Sequence, residues 1–135
     1  MRSRPVQWRA DVHATSVEEI DAQHRELFRR INVLLAALET DGSDDAVRNM
    51  MGFLEKYMSE HFACEENVMD ARRCAACKLN LAEHVRFARN YDQLRKRLAR
   101  DGVTRGLTTD LRQLLLTWAR VHVPRVDVRL RGAGA

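Results

Sequence analysis

Apolar residues recur at steps of three and four along four stretches of this 135-residue chain. That spacing lines one face of an α-helix and predicts four helices, each burying one face against the others. The four stripes are Ile20, His24, Leu27, Ile31, Leu34 and Leu38; Val47, Met51, Leu54, Met58, His61, Glu65 and Val68; Asn80, His84, Phe87, Tyr91, Leu94 and Leu98; and Leu111, Leu115, Trp118 and His122. Because short connections make consecutive helices antiparallel, we predict an all-α fold, an up-down-up-down antiparallel four-helix bundle with an extended N-terminal arm.

Turn-forming and capping residues separate the four stripes. Residues 16–19 have the spacing of a capping box, 41–43 and 102–106 contain glycines that interrupt a helix, and 108–110 are a second candidate cap. The stretch between Met69 and Leu81 has no apolar period, which predicts the third connection there. The predicted organisation is an arm at 1–15, a bundle at 16–131 and a flexible tail at 132–135.

Composition narrows the class of protein. Hydrophobic residues make up 45% of the chain and charged residues 31%, which is typical of one folded domain, and the 6 glycines and 2 prolines argue against an all-β fold. No apolar run approaches the roughly 20 residues of a membrane span, and the N-terminus lacks a signal-peptide stretch, so we expect a cytoplasmic protein without a membrane partner. The net charge of +4 comes without a nucleic-acid-binding motif, so we expect no nucleic-acid partner. We also expect a monomer.

Polar residues interrupt the stripes at positions where leucine or isoleucine is expected. They come from all four predicted helices: His24, His61, Glu65, Asn80, His84 and His122. A single histidine of this kind is more often a core residue bonded to a neighbour, but here four of the chain's five histidines lie in the stripes. His24 and His84 begin their helices, whereas His61 and His122 end theirs. Antiparallel helices therefore bring all four to one end of the bundle, which predicts a shared site.

Histidines and carboxylates together form the ligand set of iron, zinc or manganese, and two carboxylates among several histidines suit a pair of metals bridged by oxygen. Glu65 is one carboxylate, and Asp127, five residues past His122, is the candidate for the second. On an ideal helix that offset is about 140°, so Asp127 reaches the site only if the helix ends or bends. Pro124 favours such a bend because it removes one backbone donor.

Short motifs in the same order occur on all four predicted helices and span almost the whole chain. They are Gln7-Trp8; Ile20-Asp21-Ala22-Gln23-His24 with Leu27-Phe28; His61-Phe62-Ala63-Cys64-Glu65-Glu66 with Met69; Ala82-Glu83-His84 with Phe87; and Trp118, His122 and Asp127. In these motifs the chain resembles the hemerythrin family, specifically its single-domain bacterial members, the bacteriohemerythrins.

The resemblance implies two non-haem iron ions with a bridging oxo or hydroxo group, held inside the bundle. Carried over by position, His24 and His61 hold the iron that keeps an open coordination position, and His84 and His122 hold the other. Glu65 and Asp127 bridge the two ions. The implied function is reversible binding of O2 for storage, delivery or sensing. The resemblance also implies an apolar lining that excludes water, here Leu27, Ile31, Leu54, Met58 and Trp118.

The chain departs from the family pattern at Asn80, where the family has a histidine four residues before His84. Three outcomes are open: Asn80 ligates weakly through its amide oxygen, water takes that position, or the second iron binds poorly. An additional open position favours other small ligands, namely nitric oxide, peroxide and inhibitory anions. The alternative function is therefore a ferroxidase, peroxidase or nitric-oxide-handling enzyme, although the sequence offers no dedicated acid or base beyond the ligands.

The three cysteines give a weaker signal. Cys74 and Cys77 form a CxxC motif in the predicted third connection, without the further ligands that a zinc site needs. In a reducing compartment we expect free thiols, with Cys64 packing beside the site. Two alternatives remain: Cys77 thiolate replaces the missing imidazole, or oxidation of the motif makes the chain an iron or redox signalling module.

Overall fold

The computed structural model of the chain describes residues 4–40, 43–72 and 77–125. Within these ranges every regular element is helical, which confirms the predicted all-α fold. The elements are α1 (Ala10–His13), α2 (Glu18–Ala37), α3 (Ser43–Tyr57), π1 (Met58–Phe62), α4 (Ala63–Arg72), α5 (Cys77–Asp101), α6 (Arg105–Thr117), π2 (Trp118–His122) and α7 (Val123–Arg125). Since α3, π1 and α4 are continuous, as are α6, π2 and α7, four long helical segments carry the four stripes. Their up-down-up-down order stays a prediction.

The stripes form the interior of this bundle. Leu27, Ile31, Leu54 and Leu111 are completely buried, and most of the other apolar stripe residues join them in one cluster. Ile20 and Val68 pack instead with Met69 in a second, smaller cluster. Four stripe residues are only partly buried: Leu38, Met58, Val68 and Leu98. Burial of apolar side chains drives the packing of helices, so the spacing of apolar residues was sufficient to identify the inward faces. None of the described helices is both long and apolar enough to cross a bilayer.

Two predicted boundaries are wrong. The third connection is shorter than predicted, because α4 continues to Arg72 and α5 already begins at Cys77. The fourth segment begins at Arg105 rather than after 108–110, because the Thr104 hydroxyl accepts a hydrogen bond from the Leu107 N–H at 3.1 Å and caps the helix. The first error arises because polar residues extend α4 and α5 without contributing to an apolar period. The second arises because Gly106 does not interrupt the helix and Leu107, which is completely buried, belongs to the fourth stripe one turn before Leu111.

The N-terminal arm packs along α2 and is extended apart from the single turn α1. The Val6 N–H donates to Asn32 Oδ1, and Asn32 Nδ2 donates to the Val6 carbonyl, each at 2.8 Å. The predicted capping box at 16–19 does not form, because Ser16 adopts a left-handed φ of 72°. Instead, the Thr15 N–H and hydroxyl both donate to Asp21 Oδ1 at 2.8 Å, which ties the arm to the first turn of α2.

Two π-helical turns interrupt the second and fourth segments at the same end of the bundle. π1 contains His61, and π2 contains His122. A π turn inserts one extra residue into the helical register and is often found at functional sites. Only π2 has a visible cause in the sequence, because Pro124 follows it and has no N–H to continue the α-helical hydrogen bonds. The helix continues through Pro124 to Arg125, and the bend predicted to bring Asp127 to the site stays a prediction because Asp127 lies outside the described residues.

Candidate metal centre

Five of the predicted site residues lie together at one end of the bundle, and each comes from a different element. His24 lies on α2, His61 on π1, Glu65 on α4, His84 on α5 and His122 on π2. They form two triads that share Glu65, and the potential ligand atoms within each triad lie within 4.8 Å of one another. All five side chains are at most 4% exposed. The antiparallel argument from sequence thus identified the residues that meet.

The two oxygens of Glu65 face different histidines. Oε2 lies 3.1 Å from His61 Nε2 and 3.7 Å from His24 Nε2, and these two nitrogens are 3.0 Å apart. Oε1 lies 3.0 Å from His84 Nε2. Burial raises the pKa of a carboxyl group, but the neighbouring imidazoles of His24, His61 and His84 outweigh it and hold the pKa of Glu65 well below its usual range. The carboxylate is therefore charged, with two imidazoles beside Oε2 and one beside Oε1.

This donor set fits a metal ion at each oxygen. Imidazole nitrogens and carboxylate oxygens are ligands of iron, zinc and manganese. His24 and His61 point ring nitrogens at one another at hydrogen-bond distance, so one of the two must carry a proton unless a cation lies between them. A divalent cation also neutralises a carboxylate that is completely buried. The chemistry of the residues therefore agrees with metal binding.

Hydrogen bonds from outside the cluster orient two of the histidines. His61 Nδ1 lies 2.5 Å from Gln23 Oε1, and His84 Nδ1 lies 2.9 Å from Glu66 Oε2. An Nδ1–H that donates to an outer oxygen leaves Nε2 available for a metal and fixes the ring. Gln23 and Glu66 occur in the sequence motifs, but no role was predicted for either residue. Gln23 directly precedes His24, and Glu66 directly follows Glu65, so both lie at the edge of the ligand face on a helical wheel. This position next to a ligand is the sequence signal that could have identified them.

Aromatic side chains cover three of the imidazole rings. Tyr57 stacks on His61 at a centroid distance of 4.6 Å, Phe62 on His84 at 3.9 Å, and Trp118 on His122 at 3.6 Å. Each pair is nearly parallel, with interplanar angles of 15°, 3° and 10° respectively. Among the predicted lining residues, Leu27, Ile31 and Leu54 are buried in the same core and Met58 is partly buried. The ring stacking restricts the motion of the histidines and covers one face of each of these imidazoles.

Asn80 lies inside the cluster, one helical turn before His84 on α5. Its side chain is 2% exposed, and Nδ2 donates to Glu65 Oε1 at 2.6 Å. The amide oxygen Oδ1 is buried and has no hydrogen-bond partner in the part of the chain that the structure describes. A native protein rarely leaves such an atom unsatisfied, and an ion or water is a frequent explanation.

The remaining residues predicted near the site are Asp127 and the three cysteines. Asp127 and Cys74 lie outside the described residues. Cys77, at the start of α5, is disulfide-bonded, so the expectation of a free thiol is wrong there, and it offers no thiolate to replace an imidazole. Cys64 is a free, half-buried thiol as predicted, and burial is the main cause that raises its pKa.

A cleft of about 270 Å³ between α5 and the π2 segment reaches the cluster from the surface. Trp118 and His122 belong to its lining, together with exposed Arg86 and half-buried Glu83. The cleft is large enough for a diatomic or triatomic ligand.

Comparisons with known proteins point to one protein family. The sequence model of a family described as the Hemerythrin HHE cation binding domain matches residues 15–128. A protein of Methylococcus capsulatus named Bacteriohemerythrin is 26% identical over 120 residues, which cover 89% of this chain and 89% of that protein. A protein of the same name from Stenotrophomonas maltophilia is 26% identical over 116 residues, covering 86% of this chain and 72% of that protein. No solved structure gave a significant match.

Proposed function

Since this chain belongs to the hemerythrin family, we propose that it is a non-haem di-iron protein that binds O2 reversibly for storage, delivery or sensing. The observation that carries the proposal is the pair of buried triads that share Glu65. One carboxylate between two sets of imidazoles is suited to hold two metal ions side by side, and a metal pair supplies two electrons to a ligand such as O2.

The residues take the following roles in this proposal. His24 and His61 hold one iron, His84 and His122 hold the other, and Glu65 bridges them together with an oxo or hydroxo group. Asp127 is proposed as the second bridging carboxylate. Asn80 occupies the place of an imidazole that the resemblance leads one to expect.

The surrounding residues favour reversible binding over further reaction. Gln23 and Glu66 keep the Nδ1 protons of His61 and His84 in fixed hydrogen bonds, so the ligand nitrogens keep one orientation. The stacked rings of Tyr57 and Phe62 cover His61 and His84, which reduces the contact of these ligands with water and slows side reactions of a bound ligand with solvent.

Reconstitution with iron tests the proposal. The full chain, loaded anaerobically with Fe(II), is assayed for iron content and for absorption before O2 is admitted, in its presence and after its removal. We expect two irons per chain and an absorption band that appears with O2 and disappears without it. Glu65→Gln removes the bridging charge with little change in shape and should abolish the band, whereas Glu60→Gln, at an exposed position of π1, should retain it. A wild-type protein that gains no band, or a Glu65→Gln protein that retains it, contradicts the proposal.

An enzyme is the second candidate, because Asn80 puts a weaker donor than imidazole beside the second metal position and the cleft at His122 gives small molecules access to it. Peroxide, nitric oxide or Fe(II) is then a substrate. Hydrogen-peroxide turnover that falls in Asn80→His favours the enzyme. Equal, slow turnover in both proteins favours the O2 carrier.

A further inference from the structure

The two oxygens of Glu65 differ in their contacts. The contacts described for Oε2 are both with imidazole nitrogens: His61 Nε2 lies at 3.1 Å and His24 Nε2 at 3.7 Å. Oε1 faces His84 Nε2 at 3.0 Å and also accepts a hydrogen bond from Asn80 Nδ2 at 2.6 Å. An amide N–H therefore already occupies one side of the oxygen that a second metal needs.

The Asn80 side chain is long enough to reach that second position. Its terminal nitrogen and the ligand nitrogen of His84 both lie within 3.0 Å of the same carboxylate oxygen. The other end of the amide, Oδ1, is buried without a hydrogen-bond partner among the described residues. A buried acceptor in that state costs free energy, which a cation beside it removes.

Rotation of the amide by about 180° exchanges Nδ2 and Oδ1 with almost no change in shape. Without a cation, Oδ1 facing Glu65 would oppose a charged carboxylate, so the N–H orientation is favoured. With a divalent cation between them, both oxygens coordinate it, so Oδ1 gains a partner while Nδ2 loses its hydrogen bond to Glu65. The preferred orientation of Asn80 thus depends on whether the second metal is present.

We propose, resting on the metal-binding function above, that the two metal positions fill in order and that the Asn80 amide governs the second. The position at His24, His61 and Glu65 Oε2 fills first, because a metal there displaces only the proton held between the two ring nitrogens and no side chain has to rotate. The position at His84, His122 and Glu65 Oε1 fills only when Asn80 exchanges its hydrogen bond for coordination through Oδ1. Since that hydrogen bond is made to a charged group, its loss weakens the second binding step by roughly 10- to 100-fold relative to the first.

Calorimetric titration of the metal-free full chain with Zn²⁺ tests the order. We expect two steps in the wild type, separated by at least about tenfold in dissociation constant. Asn80→Leu, which offers no donor atom, should weaken the second step by a further factor of about ten and leave the first within about threefold. Asn80→His should tighten the second step, because imidazole is the stronger ligand. The matched control is Asn90→His, an exposed position on the same helix, which should change neither step.

A second measurement follows the side-chain NH2 signals of Asn80 in the wild-type chain, in ¹H–¹⁵N spectra recorded during the Zn²⁺ titration. It does not depend on the activity of any variant. The signals are assigned by their absence in Asn80→Leu or, if that protein does not fold, in Asn80→His. With the first equivalent of Zn²⁺ they should shift only slightly, because the metal binds the other oxygen of the carboxylate that accepts the Asn80 hydrogen bond. With the second equivalent the hydrogen-bonded proton should move strongly upfield, because the bond to Glu65 is lost. Loss of the hydrogen-bonded signal with the first equivalent, or two equal binding steps in the wild type, overturns the inference and leaves the proposed function standing. A chain that binds neither Zn²⁺ nor Fe(II) overturns the proposed function itself.

Discussion

Replacing Glu66 with glutamine tests whether the outer carboxylate strengthens His84 as a ligand. Glu66 Oε2 lies 2.9 Å from His84 Nδ1, while Nε2 of the same ring lies 3.0 Å from Glu65 Oε1. Glutamine keeps an oxygen that accepts from Nδ1–H but removes the negative charge. The substitution therefore weakens the His84 ring as an electron donor to a metal at Nε2 and changes the position of the ring much less.

The size of the effect follows from the exposure of the carboxylate. Outer partners of metal-ligating histidines typically contribute about 10- to 100-fold to metal affinity. The Glu66 side chain is 41% exposed, so solvent screens part of its charge. We therefore expect the lower end of that range, roughly a tenfold loss of affinity or ~1.4 kcal/mol, confined to the metal position at His84.

Competition with a chelator of known affinity measures this loss, with Zn²⁺ as the metal. The control is Asp70→Asn, which removes the same charge one helical turn farther along α4 at an exposed position. Equal losses in both variants would show a general effect of net charge, and an unchanged affinity in Glu66→Gln would show that the hydrogen bond does not tune the ligand. Either result refutes the reasoning.

Two further predictions concern the N-terminal arm. Asn32→Ala removes both hydrogen bonds to Val6 and should lower the free energy of unfolding by about 1–3 kcal/mol in urea titrations, whereas Val33→Ala, at an exposed neighbour, should change it by less than ~0.5 kcal/mol. His13 accepts the Arg9 N–H at Nδ1 at 2.8 Å, and burial is the main cause that lowers its pKa below 6.5. Because the unfolded chain then takes up the proton at higher pH than the folded chain, the contribution of His13 to stability is complete above pH 6.5 and declines as the pH falls below it. The difference in unfolding free energy between wild type and His13→Gln should accordingly shrink from pH 7 to pH 5, and parallel curves for the two proteins would contradict this assignment.

Much of the interior and of the cluster was predictable from sequence. The steps of three and four that identified Leu27, Leu54 and Leu111 as inward also identified His61 and Glu65, because a helix presents one face whatever side chains that face carries. Depth in the bundle followed from whether a histidine lay near the start or the end of its segment. Both inferences need only the geometry of a single helix and the antiparallel packing of neighbours.

The contacts between helices were not predictable in the same way. Stacking of Phe62 on His84, or a hydrogen bond from Glu66 to the same ring, depends on how two helices are rotated about their axes, and residue spacing within one helix does not specify that rotation. The π turns shift the helical register by one residue in two segments and so change this rotation. Pro124 indicated the second π turn, and no residue in the sequence indicated the first.

The sequence by itself determined that this chain is an all-α bundle with histidines and a carboxylate at one end, because apolar periodicity and helix direction are properties of each segment alone. Only the tertiary structure decided how those groups divide between the two oxygens of Glu65. It also decided that Asn80 donates to one of them, since distances between side chains on different helices depend on the relative placement of the helices.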